Sequence, residues 1–591
     1  MSLRTLAFDI ETDGLLDEVT TITSLCIIDC DTGEEFAFKP EHVERGLRLL
    51  SNAETIVAHN GINFDIAVIR KLHSDWMPPL VRDTLVLSRL AWPDLRERDY
   101  ARFGKVGLRQ YGPRMFNGSH SLGAHGIRLG LHKGEFTGEW TDGWSQELED
   151  YCMQDVRVTV KLWHQMVALA LNSRAVDLEH RFAQVCHDME QVGFAFDTEH
   201  AERLRALLLH RQDELSAELT DKYGGWYEQD GPVVTPKRSA KYKNRPEVTE
   251  GCPYTKVKYV VLNPGSRQHI ERVLRSEGWV PTEFTETSGQ AKIDEQVLLK
   301  IADKFPSAKL FAEQFTVQKR LGLLDSWLEA DRGGRVHAQV IPNSAATSRT
   351  SSRNPNLQQV PSVHGAYGRE CRKCFTASPG RVLLAADLDK AELMLLAHYM
   401  AAYDGGAYAA MLTEGDIHQS NADAMGVDRQ TGKRTIFALL YGSGDKLLGE
   451  ITGRPGSQIR ADLMEAFPAL DKLISDVQAR VKKDGGFTAL DGRWIPCAGT
   501  FKALNYLIQS STSIVGKQWA SLIVEKLRVT PVPADLVMYV HDEIQIDCAP
   551  AHTEFVSGVI KAALAEACRI YNLRVTMTCG TQTGPDWSES H

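Results

Sequence analysis

Four carboxylates from three separate stretches near the amino terminus could together hold divalent metal. In LAFDIETDG, Asp9 and Glu11 stand two residues apart in a strand-like run. Residues i and i+2 of a strand share one face. Two such carboxylates near a strand end suit divalent cations, although a solvent-facing acidic strand edge would read the same from this motif alone. HNGINFD follows a second apolar run and sets Asn60 and Asp65 around a turn into a helix. YCMQD lies in a strongly periodic helical stretch and places Tyr151 and Asp155 at i and i+4, one turn apart on one face. Asp9, Glu11, Asp65 and Asp155 could then hold two metals, one activating water and one stabilising a leaving 3′ oxygen, as in two-metal phosphodiester cleavage. Tyr151 would orient the attacking water.

A second constellation lies toward the carboxy terminus. LLAADLDKAEL presents Asp387 just after an apolar run, and MYVHDEIQI presents His541, Asp542 and Glu543 between two apolar halves. Consecutive acidic residues inside an apolar strand pair are costly unless a cation offsets them. The pattern predicts a tight turn with Asp542 facing a metal site. Asp387 and Asp542 would clamp two Mg2+ ions around a nucleoside triphosphate and a primer 3′ hydroxyl, with Leu388 adding its backbone carbonyl. In RQTGKRTIFALLYG, Arg429, Lys433, Phe437 and Tyr441 recur every four residues. They fall within roughly 120° of one helix face. Cations lead and aromatics follow, an order that suits a triphosphate at the helix amino terminus and a base and sugar beyond it. An amphipathic helix with core aromatics would share the spacing.

The elements that must position these residues read as follows. The first 190 or so residues are mixed α/β, with strands such as LRTLAFDI and TIVAH and helices such as DIAVIRKLH. Residues 176–219 are helical in period. Residues 223–264 are rich in Gly, Pro, Lys and Tyr and read as a basic loop or small insertion. Helical pattern resumes at Ser266 and over 295–328, RVLLAADL is a strand, helices dominate 391–482, and DLVMYVHDEIQIDC is strand-like. There is no repeat and no low-complexity tract.

A chain of 591 residues exceeds one core, so three to five structural units are expected. No apolar run reaches membrane-spanning length, and the start MSLRTLAFDIETDG lacks a signal-peptide pattern. Of eleven cysteines, Cys371 and Cys374 form a CxxC, and no second pair stands nearby to complete a zinc site, so reduced thiols are the reading. The formal charge of −10 argues, taken alone, against a phosphate-binding protein. It is a global sum, however, and a groove can be basic on an acidic protein.

The three amino-terminal segments resemble the Exo I, Exo II and Exo III motifs of proofreading exonucleases, in order and with flanking residues. By themselves they fit a stand-alone exonuclease or an RNA-trimming nuclease equally well. The carboxy-terminal segments DLDKAEL, RxxxKxxxFxxxYG and VHDE resemble motifs A, B and C of family A DNA polymerases. The resemblance spans nearly the whole chain. NPGSRQHIERVLRSEGWVPT, DTLVLSRL, YGSGDKLLGEI and GPDWSESH are similar to segments of the replicative polymerases of T-seven-like bacteriophages.

What the resemblance implies is a multidomain α/β and α+β protein: an RNase H-like 3′–5′ exonuclease domain followed by a right-hand polymerase. The exonuclease would occupy 1–190, the thumb 191–340 with a short basic insertion near 224–261, the first part of the palm 341–400, the fingers 401–490 and the second part of the palm 491–591. The implied activity is template-directed extension of a primer with dNTPs, with proofreading. TSRTSSRNPNLQQVP places Arg349 near the primer terminus. GDIHQS supplies His418 near the triphosphate, and Glu392 matches the steric gate against a ribose 2′ hydroxyl. ALNYLIQSS supplies Asn505 and Gln509 for the minor groove, and His541 joins them as a DNA contact. Asp387, Asp542 and Glu543 would be catalytic in the polymerase. Metals would be two Mg2+ at each site, held by Asp387, Leu388 and Asp542 and by Asp9, Glu11 and Asp155, with Mn2+ as a substitute and no organic cofactor.

Several positions depart from the family pattern. Phe437 stands where T-seven-type enzymes have tyrosine, which implies poor dideoxynucleotide incorporation. Glu392-Leu393-Met394 replaces the usual ELR, and Asp389 replaces a small polar residue. The thumb insertion is much shorter than the loop that holds host thioredoxin in T-seven-type enzymes, which argues against a thioredoxin-type processivity factor. Its Lys237, Arg238, Lys241, Lys243 and Arg245 could track DNA directly. Partners would be primer–template DNA, dNTPs and a replicative helicase-primase, with no membrane. The expected location is the cytoplasm of a bacterial host. A single-subunit RNA polymerase would share the palm but not the exonuclease or Glu392. A non-catalytic DNA-binding subunit would not retain every metal carboxylate.

Overall fold

Alternation along LAFDIET fixes the amino-terminal layers. In the strand Thr5–Thr12, Leu6, Phe8 and Ile10 enter one apolar cluster with Leu25, Ile27 and Ile56. Ala7, on the other face, packs with Cys152, Met153 and Val156. Asp9 and Glu11 continue the Ala7 face, because side chains alternate along a strand. The sheet has five strands in the spatial order Glu35–Phe38, Ile22–Asp29, Thr5–Thr12, Thr55–Ala58, Leu80–Asp83. Ile22–Asp29 pairs antiparallel with both Glu35–Phe38 and Thr5–Thr12, and Thr5–Thr12, Thr55–Ala58 and Leu80–Asp83 are parallel. The helix Gln146–Ala168 covers the Ala7 face. It starts at Ser145, whose hydroxyl accepts from the Leu148 N–H at 3.1 Å, the usual way a serine satisfies an orphan amide of the first turn.

The computed structural model describes residues 4–104, 107–110, 116–243, 245–285 and 288–590. The chain folds into two compact units. One comprises 1–195, 337–359 and 376–591, the other 196–336 and 360–375.

In the second unit, the helices Thr198–Tyr223 and Pro306–Ala330 pack together, beside a core that includes Leu219, Leu262, Ile270, Trp279, Phe305 and Phe311. The stretch 223–264, expected as a basic loop or small insertion, contains four strands. Gly225–Val234 pairs with Tyr254–Val261, and Ala240–Tyr242 with Arg245–Val248, both antiparallel. Tyr227 and Tyr259 oppose each other across the first pair, with ring centroids 5.2 Å apart. Aromatic and β-branched residues at alternate positions stabilise such a ribbon through cross-strand contacts, and this outweighs the loop-like content of Gly, Pro and Lys. The side chain of Arg245 lies outside the described ones.

The helical run expected over 176–219 divides. Ser173–Val192 ends at Gly193, which has φ +67° and lies so close to the His337 ring that a Cβ would sit 2.8 Å from it. A side chain is excluded there twice, by backbone conformation and by space.

The first unit also holds a four-stranded antiparallel sheet in the order Ala534–Val540, Glu543–Cys548, Val382–Leu388, Cys579–Gly584. The helix Ala503–Arg528 packs against Thr553–Ile570 and Ser173–Val192, and Trp519 Nε1 donates to the Ile560 carbonyl at 3.0 Å. A fully buried charge cluster joins these parts. Lys517 Nζ meets the two carboxylate oxygens of Glu179 at 2.8 and 3.0 Å and donates to Asn343 Oδ1 at 2.7 Å. Arg493 pairs with both Glu179 and Asp491.

Candidate active sites

The amino-terminal carboxylates converge. Asp9 and Glu11 project from the central strand, Asp65 is the first residue of the helix Asp65–Leu72, and Asp155 sits on the helix Gln146–Ala168. Asp65 Oδ1 accepts from the Ile10 N–H at 3.1 Å, which fastens the second helix to the strand between the first two carboxylates. Burial raises all four, and repulsion from the other carboxylates adds to it at Asp9 and Glu11. Asp9 is pushed well above the usual range by burial, then by Asp65, Glu11 and Asp155. Glu11 is pushed up to about 8 by burial and Asp155, and Asp65 to about 7 mainly by burial. Burial also raises Asp155, against the pull of Lys133. Ligand atoms of Asp9, Glu11 and Cys152 lie within 4.8 Å of one another, and Asp155 Oδ1 is buried with no hydrogen-bond partner among the described residues. Acceptors crowded in this way fit divalent cations, which would reverse the repulsion.

Two residues of this site were not anticipated. Lys133 pairs with Asp155 and stands 4.8 Å from the centre of the Tyr151 ring. Cys152 Sγ donates to the Asp9 carbonyl at 3.4 Å and lies 3.8 Å from Asp9 Oδ2. Neither residue belongs to a spacing pattern; only the fold brings Lys133 across 22 positions to Asp155. Tyr151 also packs near Phe136 and Trp140, at 6.2 and 5.8 Å between ring centres. The CxxC pair is different. Cys371 and Cys374 are buried and belong to no metal-ligand group among the described residues.

At the carboxy-terminal site, the expected turn between the acidic residues' flanking strands is present. Ala534–Val540 and Glu543–Cys548 form a hairpin, with His541 at φ +58°. Asp387 lies opposite Glu543 in the register of the adjoining strands, and the Leu388 N–H donates to the Asp542 carbonyl at 3.1 Å. Asp387 is exposed and Asp542 half-buried. Burial raises the Asp542 carboxyl; Glu392 and Glu543 add to this and Arg349 opposes it. Glu543 is engaged elsewhere. Its Oε1 accepts from Trp587 Nε1 at 2.6 Å and Gln545 Nε2 at 2.7 Å, inside the fold. These two bonds tie the Glu543 side chain to the carboxy-terminal segment around Trp587.

Arg429, Lys433 and Phe437 share the open side of the helix Arg429–Leu440, and Tyr441 follows as its last cap, 51% exposed. Asp428 starts the helix by accepting from the Gln430 and Thr431 N–H groups, at 3.0 Å each. Arg429 Nε is held by Asp416 Oδ2 at 2.7 Å. Asp416 also caps the helix Ile417–Met425, which carries His418. His418 is buried, its Nδ1 has no hydrogen-bond partner among the described residues, and its ring lies 6.4 Å from Phe437. Burial, then Lys433 and Arg429, hold its pKa below the usual value. Glu392 joins Arg349 and Tyr441: Arg349 Nη2 donates to Oε1 and the Tyr441 hydroxyl to Oε2, both at 2.9 Å. Asn505 and Gln509 are half-buried one turn apart on the helix Ala503–Arg528, without a hydrogen bond to these groups.

An RNase H-like sheet bearing clustered carboxylates, followed by an acidic antiparallel sheet beside a cation-and-aromatic helix, defines a nuclease–polymerase. The chain belongs to DNA polymerase family A: the family model matches residues 235–589, and an RNase H superfamily model matches residues 6–104. It is similar to the DNA-directed DNA polymerase of Escherichia phage T7, with 31% identity covering 99% of each chain. The enzyme of Enterobacteria phage T3 is equally similar, at 31% over 99% of this chain and 100% of that one. The DNA polymerase of Mycobacterium phage L5 is 25% identical over 95% of this chain and 90% of the relative. In fold, the chain resembles the POL domain of Pol1 from M. smegmatis, solved with DNA primer-template and dNTP. The TM-score is 0.76 at 18% identity, covering 100% of this chain and 96% of the other. The protein is a DNA-directed DNA polymerase with an RNase H-like nuclease domain. No helix among its described residues is long and apolar enough to cross a membrane.

Proposed function

We propose that the carboxy-terminal site extends a primer 3′ end with deoxynucleoside triphosphates, and that the amino-terminal site removes mispaired 3′ nucleotides. The observation that carries this reading is the presence of two separate carboxylate centres. Only the carboxy-terminal one is linked, through Arg349, Glu392 and Tyr441, to the helix that carries Arg429, Lys433 and Phe437.

Asp387, Asp542 and the Leu388 carbonyl would hold Mg2+ at the polymerase centre, and Asp9, Glu11 and Asp155 at the exonuclease centre, two ions at each and Mn2+ substituting. Bound there, the ions would supply nucleophile activation and stabilisation of the leaving oxygen. Arg429 and Lys433 bind the triphosphate by charge, and His418 offers a ring nitrogen toward it. Phe437 and Tyr441 receive the sugar and base. Glu392, fixed between Arg349 and Tyr441, closes the space a 2′ hydroxyl needs. Arg349, Asn505, Gln509 and His541 contact the primer–template. In the nuclease centre, Tyr151 orients the attacking water, and Asp65 holds the strand carrying Asp9 and Glu11. Glu543, braced by Trp587, is the third acidic residue of the polymerase centre.

In this reading, residues 1–190 are the exonuclease, 191–340 the thumb, 341–400 and 491–591 the palm and 401–490 the fingers. The β-ribbon at 224–261 carries Lys237, Arg238, Lys241 and Lys243 toward DNA, without thioredoxin. The enzyme replicates phage DNA in the bacterial cytoplasm beside a helicase-primase.

The test is a labelled primer–template with Mg2+ and either dNTPs or NTPs. Asp542→Ala abolishes synthesis and leaves exonuclease activity; Asp9→Ala with Glu11→Ala does the reverse. Loss of both activities in either folded variant overturns the two-centre reading.

A further inference from the structure

We propose that Lys133 is a positioning residue of the exonuclease: it takes one oxygen of Asp155, leaving Oδ1 as the oxygen presented to the reacting centre, and it pins the Tyr151 ring alongside. The inference rests on the reading of Asp9, Glu11, Asp65 and Asp155 as that centre.

Lys133 lies outside any helix, yet it is fixed at both ends. Its backbone neighbours are docked on the helix that carries Tyr151 and Asp155. Gln154 Nε2 donates to the His132 carbonyl at 2.7 Å, and a Cβ on Gly134 would stand 3.3 Å from Tyr151 Cδ2. Upstream, the Leu131 N–H donates to the Gly126 carbonyl at 3.0 Å, continuing the helix Leu122–Leu129 into the docked segment. Its side chain ends on Asp155 Oδ2 and faces the Tyr151 ring at 4.8 Å. The ammonium is therefore shared between the two residues that sequence spacing had already placed on one helix face.

The division of labour within Asp155 is the telling feature. Its side chain is 4% exposed. One oxygen is held by Lys133, and the other is buried and has no hydrogen-bond partner among the described residues. A buried carboxylate oxygen left unpaired is costly, so the arrangement is useful only if Oδ1 has a ligand in the working enzyme. Fixing one oxygen of a carboxylate settles which way the other points, the usual service of an outer partner to a metal-binding side chain. Lys133 also contributes positive charge among the acidic groups Asp9, Glu11 and Asp155. A mere neutralising charge would compete with a metal for Asp155, whereas a positioning charge would help it. The two roles predict opposite changes in metal affinity when Lys133 is removed.

The experiment uses the full-length protein as wild type, Lys133→Met, Lys133→Arg and the Asp9→Ala/Glu11→Ala double variant. Mn2+ binding is followed by the electron paramagnetic resonance of free Mn2+, and the portion absent from the double variant is assigned to the exonuclease centre. Degradation of single-stranded DNA and primer extension are measured in parallel. Lys133→Met is expected to weaken that Mn2+ binding about 10-fold and to slow DNA degradation by about 10–100-fold, with primer extension unchanged. Lys133→Arg, which keeps the charge and the fold, recovers most of both. Tighter Mn2+ binding in Lys133→Met, or slower degradation with unaltered Mn2+ binding, or no change in either, overturns the inference. Degradation that persists in the double variant instead overturns the underlying site reading.

Discussion

The Tyr441 hydroxyl donates to Glu392 Oε2 at 2.9 Å while Arg349 holds Oε1 of the same carboxylate. Burial and the Glu392 charge push the Tyr441 hydroxyl up to about 12, so it stays protonated and keeps donating at neutral pH. Held at both oxygens, Glu392 cannot swing aside for a ribose. Glu392→Ala is expected to raise ribonucleotide incorporation relative to deoxynucleotides by at least about 10-fold, on the scale of one lost polar selection. Single-nucleotide extension with rNTP and dNTP measures this ratio, and an unchanged ratio removes Glu392 from the gate.

Phe437 presents a ring without a hydroxyl beside His418. Nothing at that position then interacts with the sugar in a way that compensates for a missing 3′ hydroxyl. The unmodified enzyme is expected to prefer dNTPs over ddNTPs, and Phe437→Tyr to narrow the preference by about 10-fold or more, the worth of one hydrogen bond. Chain-termination assays at matched concentrations decide it.

The amino-terminal carboxylates make stability depend on pH. Glu11 at about 8 and Asp65 at about 7 lie above their unfolded values of 4.5 and 3.8. Groups raised in this way bind protons more tightly in the folded state. Their contribution is full below the unfolded values and is lost as pH rises through about 7 to 8. In EDTA, the Tm is therefore expected to fall across that window, and Glu11→Gln to flatten the fall. Mg2+, which binds the ionised form, should restore the Tm at the alkaline end. Identical pH slopes for wild type and Glu11→Gln in EDTA contradict this.

Removing one partner from the buried cluster of Glu179, Lys517, Arg493 and Asp491 leaves a charge without compensation. Lys517→Met is expected to cost about 3–5 kcal/mol, read from urea unfolding. A loss below about 1 kcal/mol would show that Arg493 alone suffices for Glu179, at the level of a surface ion pair.

The alignment with the phage T7 enzyme runs over 710 positions against a chain of 591 residues, so that relative carries insertions. The ribbon at 224–261 is expected to work without thioredoxin. Added thioredoxin should leave primer-extension product lengths unchanged, and a many-fold increase rejects this.

The carboxylates were legible because their spacings are local: i and i+2 on a strand for Asp9 and Glu11, i and i+4 on a helix for Tyr151 and Asp155. The four-residue rhythm of Arg429, Lys433, Phe437 and Tyr441 likewise marks one helix face. Lys133 and Cys152 were not legible, since each gains its meaning from a contact the fold creates. The contact of Glu543 with Trp587, far along the chain, was hidden for the same reason. The ribbon at 224–261 was hidden because its Gly, Pro and Lys content resembles that of a loop, and only the alternation around Tyr227 and Tyr259 favours strands.

Glu179 sits on the helix Ser173–Val192, at the end of the stretch proposed as exonuclease, yet its carboxylate neutralises Lys517 and Arg493 within the stretch that matches the polymerase family. A truncated enzyme made by cutting at residue 190 would lose that carboxylate and strand two cations in a dry interior. A workable cut falls before Ser173, so that the helix travels with the polymerase. For an enzyme without nuclease activity, point substitution is the safer design and deletion the riskier one.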